Sequence, residues 1–180
     1  MFRIITRQDW KTSPWSGGET NEIYIYPEDG SYKDRNFQAR ISIANTKDYS
    51  KSEFTFLPAI NRFISILEGE MELTFPDRYT RQLKPFDIEE FSGDWPAYST
   101  GKYVDFNFMI KGTIGHLYFG TTNGKFTIKP QYKTTNIFIF VVSGRVILDK
   151  ITIESYDLII TNEVSLSVDT CNASFYYGYF

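Results

Sequence analysis

Histidine and cysteine are almost missing from this 180-residue chain, which has one of each. A lone Cys excludes an intramolecular disulfide framework and any Cys-based zinc-finger spacing. A lone His excludes multi-His metal sites within one chain. Long apolar runs are lacking too, since the longest, Ile137 to Val142, is far too short to cross a bilayer. Neither a basic stripe nor an arginine-rich run occurs, so nucleic-acid binding has little electrostatic support. Acidic blocks are no longer than pairs such as Glu89-Glu90, which argues against an interaction tail. Met1 to Trp10 contains Arg3, Arg7 and Asp9 and lacks the apolar stretch of a signal peptide. With the unpaired Cys171, these absences predict a soluble cytoplasmic protein without membrane or nucleic-acid partners.

What is present is aromatic and mixed in charge. The chain has 16 Phe, 13 Tyr and 3 Trp, is 42% hydrophobic, and carries a net charge of −3. That composition supports a sizeable core, and the length suits one domain or two small ones. The periodicity is that of strands. Apolar residues take every second place in Phe37–Ile43, so Gln38, Arg40 and Ser42 share the opposite face. Thr20 and Glu22 share a face around Asn21–Ile25, and Asp105, Asn107 and Met109 share one within Val104–Ile110. Glu68-Gly69, Ser92-Gly93-Asp94, Thr122-Asn123-Gly124 and Ser143-Gly144 read as turns between strands. No stretch of a dozen residues holds a helical apolar period, so the chain is predicted to be all-β with little helix.

An internal repeat sharpens the architecture. Phe63–Leu73 aligns without gaps on Phe138–Leu148, matching Gly69 to Gly144 as the turn of a strand–glycine–strand hairpin. After a gap, Pro85-Phe86-Asp87-Ile88 faces Ser155-Tyr156-Asp157-Leu158. Two related β-barrels of jelly-roll type follow, expected at residues 1–111 and 112–180.

Two barrels of this kind resemble a bicupin, and five motifs narrow the resemblance. Trp15–Ile23, Phe37–Ala44, Phe56–Arg62 with Leu67-Glu68-Gly69, Phe91–Pro96 and Asp105–Met109 are similar, in that order, to the signatures of the HutD/Ves family. Three departures stand out: a glycine-rich opening shorter than in many members, Asn21 where an Arg is common, and Ala59 where the family usually has Gly. The resemblance implies a metal-free small-molecule binder without a cofactor. It also implies a ligand among the acids of histidine breakdown, such as formylglutamate or urocanate.

Ordinary cupin enzymes hold a metal through two or three His, and Pro58–Ile110 contains none. The polar residues on the family's strands, Thr20, Glu22, Arg40, Ser42, Arg62, Asp105 and Asn107, are the candidate ligand-binding set. Alternation alone would let each polar face meet solvent. Inside a barrel, Arg40 or Arg62 would instead need Glu22, Asp105 or an anionic ligand. An Arg fork suits the carboxylate of a small organic acid. Arg62 has a second reading as a brace to Glu53 or Glu68. Trp15 and Trp95 are candidate pocket walls, and Gly17-Gly18 a candidate anion turn. Two functions remain open: a sensing or regulatory binder, and a metal-free isomerase or lyase with Glu22 or Asp105 as general base. The aromatic tail Ser174–Phe180 suits an interface or an edge strand completing a sheet, and a homodimer is expected.

Overall fold

The computed structural model describes residues 1–133 and 136–180. Among them the architecture is all-β apart from a 3-10 turn at Arg7–Asp9. The chain divides into two compact units, Lys11–Thr113 and Met1–Trp10 with Ile114–Phe180.

Strand β1 (Phe2–Ile5) opens the chain and belongs to the second unit. The first unit holds β2 (Lys11–Trp15), β3 (Gly18–Tyr26), β4 (Ala39–Thr46), β5 (Ser52–Glu53) and β6 (Ile60–Gly69). It continues with β7 (Met71–Phe75), β8 (Tyr79–Leu83), β9 (Ile88–Ser92), β10 (Tyr98–Thr100) and β11 (Tyr103–Lys111). A six-stranded sheet in the order β2-β3-β4-β11-β6-β9 faces a four-stranded sheet, β5-β10-β7-β8. Ile64, Ile66, Met71, Leu73, Phe75, Leu83 and Phe91 fill one part of the space between them. Their burial supplies the main drive for closure, at about 25 cal/mol per Å² of apolar surface.

The second unit contains β1 and β12 (His116–Ile128), β13 (Ile137–Leu148), β14 (Ile151–Ile153), β15 (Leu158–Thr161) and β16 (Leu166–Tyr179). Its sheet runs β1-β15-β13-β16-β12, with β14 pairing on β13. The core is apolar, built from residues such as Ile137, Ile139, Val141, Val146, Ile159 and Phe175.

Three expectations need correction. The first ten residues leave the N-terminal barrel, because β1 pairs antiparallel with β15 from Phe2↔Thr161 to Ile5↔Leu158. The boundary therefore falls at Thr113/Ile114. Second, Gly69 does not close a hairpin. β6 pairs with β11 and β9, whereas β7 pairs with β10 and β8, so Gly69 lies where one strand passes between sheets. Third, Thr122–Gly124 and Ser143-Gly144 lie inside β12 and β13, as register shifts rather than turns.

The repeat itself is more detailed than the sequence indicated. Gly69 and Gly144 have φ of +77° and +72°. A Cβ on either would strike a backbone carbonyl of a neighbouring segment, Lys102 O or Asn172 O. Phe86 and Tyr156 share the left-handed region at φ +73° and +72°. Phe86 N donates to Ile66 O at 2.8 Å, and Tyr156 N donates to Val141 O at 2.7 Å. The carboxylates that follow bend back alike: Asp87 accepts from Lys84 N at 3.0 Å and Asp157 from Glu154 N at 3.2 Å.

Candidate ligand-binding site

The polar faces of β3, β4, β6 and β11 come together inside the first unit. Antiparallel register sets them in rows across the sheet. Arg40, Met109, Arg62 and Phe91 form one row, and Glu22, Ser42, Asn107 and Ile64 the next. Thr20, Ala44, Asp105 and Ile66 form the third. All seven residues selected from the sequence line one cavity of about 520 Å³.

These faces are largely withdrawn from solvent. Arg40, Ser42, Arg62, Asp105 and Asn107 are buried, while Thr20 and Glu22 are half-buried. Residues on the opposite face, including Ile41, Ile43, Phe106 and Phe108, are buried as well. Alternation here separates a polar interior face from an apolar one.

The two arginines differ in their partners. Arg40 Nε donates to Glu22 Oε2 at 2.7 Å, its Nη1 donates to Ser42 Oγ at 3.0 Å, and its guanidinium lies 4.3 Å from the Tyr32 ring centre. That charge is matched inside the protein. Arg62 is 5% exposed, yet its Nε has no hydrogen-bond partner. Its Nη1 reaches Thr55 O at 3.4 Å, and its guanidinium lies 4.7 Å from the Phe54 ring centre and 5.1 Å from that of Phe91. The brace to Glu53 or Glu68 does not form; Arg62 is held by rings instead. Burial pushes its pKa down to about 10, opposed by Tyr32 and Asp105 and reinforced by Arg40. It stays a cation at neutral pH.

Asp105 is 2% exposed. Asn107 Nδ2 donates to its Oδ2 at 2.5 Å, while Oδ1 has no partner. Burial pushes the carboxyl up to about 7, with the Asn107 hydrogen bond and the Arg62 charge holding it from going higher. Two residues back, Tyr103 exchanges a hydrogen bond with Ser99 across 2.6 Å, and burial drives its phenol well above the usual range. The cavity thus contains one internally satisfied ion pair, one buried donor without an acceptor and one buried acceptor without a donor.

Other candidates separate. Trp15 lines the cavity. Trp95 does not: it packs against Phe75 and Tyr79, with the Arg78 guanidinium 4.0 Å from its ring centre. At Gly17 a side chain would collide with the Trp15 ring, so this glycine admits the indole over the β2–β3 turn. Tyr32, Phe54 and Thr55 also line the cavity but lie outside regular strands, where no period marks them. Tyr103 did carry a signal, since it precedes Asp105 and Asn107 in the same alternation. His116 lies in the second unit, stacked near Tyr118 and Tyr132 and edge-on to Tyr179.

Two related β-barrels, one with a polar cavity, define the class: this is a bicupin. The HutD family profile matches residues 7–175, and the chain belongs to the HutD family. Among solved structures it is similar to HutD from Pseudomonas fluorescens SBW25, with a TM-score of 0.79 and 21% identity over 98% of this chain and 97% of that one. It is also similar to the bacterial pirin YhhW of Escherichia coli in complex with nickel(II), with a TM-score of 0.74 and 10% identity over 100% and 99%. Oxalate decarboxylase of Bacillus subtilis follows, with a TM-score of 0.67 and 9% identity over 98% of this chain and 76% of that one. At these identities the likeness is one of fold. Among the described residues, no group of three or more His, Cys, Asp or Glu is placed to hold a metal ion, and no helix is long and apolar enough to cross a membrane.

Proposed function

We propose that the chain binds a small organic acid in the barrel cavity and acts through that binding as a sensor or regulator. The observation that carries this reading is Arg62, a buried cation whose Nε has no acceptor in the protein. A carboxylate seated against the guanidinium would supply both the counter-charge and the acceptor. Arg40 does not compete for that role, because Glu22 already satisfies it. Membership of the HutD family supports looking first among the acids of histidine breakdown, formylglutamate and urocanate.

A catalytic reading has one observation in its favour, Asp105, whose carboxyl at about 7 is suited to general-base work. The lining residues include no His or Cys to act beside it. The binding reading is tested by thermal shift with formylglutamate and urocanate, with and without divalent metals. A micromolar ligand at millimolar concentration stabilises by about 4 kcal/mol. Equal stabilisation of wild type and Arg62→Ala would overturn the assignment. Turnover of either acid without added metal would establish the catalytic alternative.

A further inference from the structure

The acid-binding reading leaves one buried group of the cavity lining unexplained, the Asp105 carboxyl, whose Oδ1 has no hydrogen-bond partner. Asn107 holds Oδ2, so the orientation of the carboxyl is fixed and only Oδ1 remains for a ligand. Charged side chains line this cavity from several elements, including Lys33 from the segment between β3 and β4. Lys11 comes from β2, Glu22 from β3, Arg40 from β4, Arg62 from β6, and Glu53 enters from β5. Glu22 pairs with Arg40, and buried Glu89 is held by Arg81 and Tyr79, which leaves Arg62 and Asp105 as the two buried charges without an ion-pair partner. An acid that takes Arg62 adds a negative charge to the space where Asp105 would be ionised. Two anions sharing one buried cation are disfavoured, and the cheaper state places a proton on one of them.

Resting on that reading, we propose that Asp105 is a second anchor that works as the neutral acid, its Oδ1–H donating to another oxygen of the ligand held at Arg62. The ligand class is therefore a carboxylate bearing a second oxygen acceptor, either another carboxylate or an acyl oxygen, and it enters together with one proton. Asp105 titrates close to neutrality before binding, so the proton uptake falls within an accessible range. Arg62 and Tyr103 titrate well above it and do not obscure the effect.

The test is calorimetric titration with succinate, which carries two carboxylates, and butyrate, which carries one, between pH 6.5 and 8.5. For wild type, succinate affinity is expected to fall about tenfold or more across that range. Asp105→Asn, whose amide donates as the protonated acid does, is expected to keep the pH 6.5 affinity and to flatten the profile to within twofold. Asp105→Ala is expected to lose at least tenfold for succinate at pH 6.5 and less than threefold for butyrate. Melting curves of both variants confirm that they are folded. A flat wild-type profile, or affinity that rises with pH and disappears in Asp105→Asn, overturns the proposal while leaving acid binding intact. The second outcome would mean that an ionised Asp105 accepts a donor from the ligand. Failure of both acids to bind wild type at pH 6.5 overturns the acid-binding reading and this proposal with it.

Discussion

Glu22 and Arg40 meet diagonally across β3 and β4. Register sets Glu22 opposite Ser42, yet Arg40 Nε donates to Glu22 Oε2 at 2.7 Å, beside a register shift between Glu22 and Tyr24. The pair is largely removed from water, so breaking it leaves a buried guanidinium uncompensated. Glu22→Ala is expected to lower stability by about 3–5 kcal/mol in urea denaturation. Glu22→Gln should cost less, since it keeps an acceptor. A loss under about 0.5 kcal/mol for the Ala variant would place the pair with solvent-screened surface bridges.

Arg62 presents the opposite case, a buried charge that costs stability in the unliganded protein. Arg62→Met preserves the aliphatic volume between Phe54 and Phe91 and removes that charge. It is expected to raise stability by about 1–4 kcal/mol, as when buried ions are replaced by apolar side chains. Acid binding should weaken at least a hundredfold, in keeping with about 2–5 kcal/mol for losing one partner of a buried charged contact. A variant both less stable and still able to bind would show that Arg62 is structural.

Asp105 gives stability a pH dependence of definite sign. Its folded value of about 7 lies above the ordinary 3.8, so the folded state holds the extra proton between those limits. The contribution of Asp105 to wild-type stability is therefore expected to fall as pH rises from about 4 to 7, then to level off. Asp105→Asn removes this titration. Its advantage over wild type should be absent near pH 4 and reach a few kcal/mol at pH 8, at about 1.4 kcal/mol per pKa unit. Chemical denaturation at several pH values checks this, and a constant difference between the two proteins would contradict it.

Ala59 has φ of +60°, a conformation that penalises any Cβ. The family's usual glycine at this place thus has a backbone reason, and this chain tolerates strain there. Ala59→Gly is expected to stabilise by about 0.5–1 kcal/mol after the entropy cost of glycine, raising Tm by about 2–4 °C. A drop in Tm would show that the turn closed by Ala59 N donating to Asp94 has relaxed the strain by another route.

Much of the site could be read from alternation. Arg40 with Ser42, and Asp105 with Asn107, share faces by a period of two, and that geometry survives any tertiary context. Whether such a face is wet or enclosed is a tertiary property. Ile41, Ile43, Phe106 and Phe108 would look the same in a one-sided sheet, yet both faces are buried. The repeat was visible in the glycines because a left-handed position crowded by a backbone carbonyl selects glycine, and in the aromatic–Asp pairs because each closes the same hydrogen-bonded turn. The joining of β1 to β15 left no local trace, since edge pairing of a four-residue strand depends on a partner more than 150 residues away. Tyr32 and Phe54 were missed for a related reason: loops bring side chains to a site without a period to announce them.

Register in the two units allows a position-by-position comparison. Arg62 opposes Met109, Ile64 opposes Asn107 and Ile66 opposes Asp105; the repeat puts Ile137 opposite Tyr179, Ile139 opposite Tyr177 and Val141 opposite Phe175. Where the first unit carries Arg62, Asn107 and Asp105, the second has Ile137, Tyr177 and Phe175. One chain thus contains a charged version and a greasy version of a single blueprint. Each is the other's control: grafting the apolar trio into the first barrel would plug the vessel, and carving the polar trio into the second would reveal how much stuffing a barrel can lose before it fails. In amide hydrogen exchange, the stuffed barrel should be the slow one, with β13 and β16 holding their protons longer than β4 and β11.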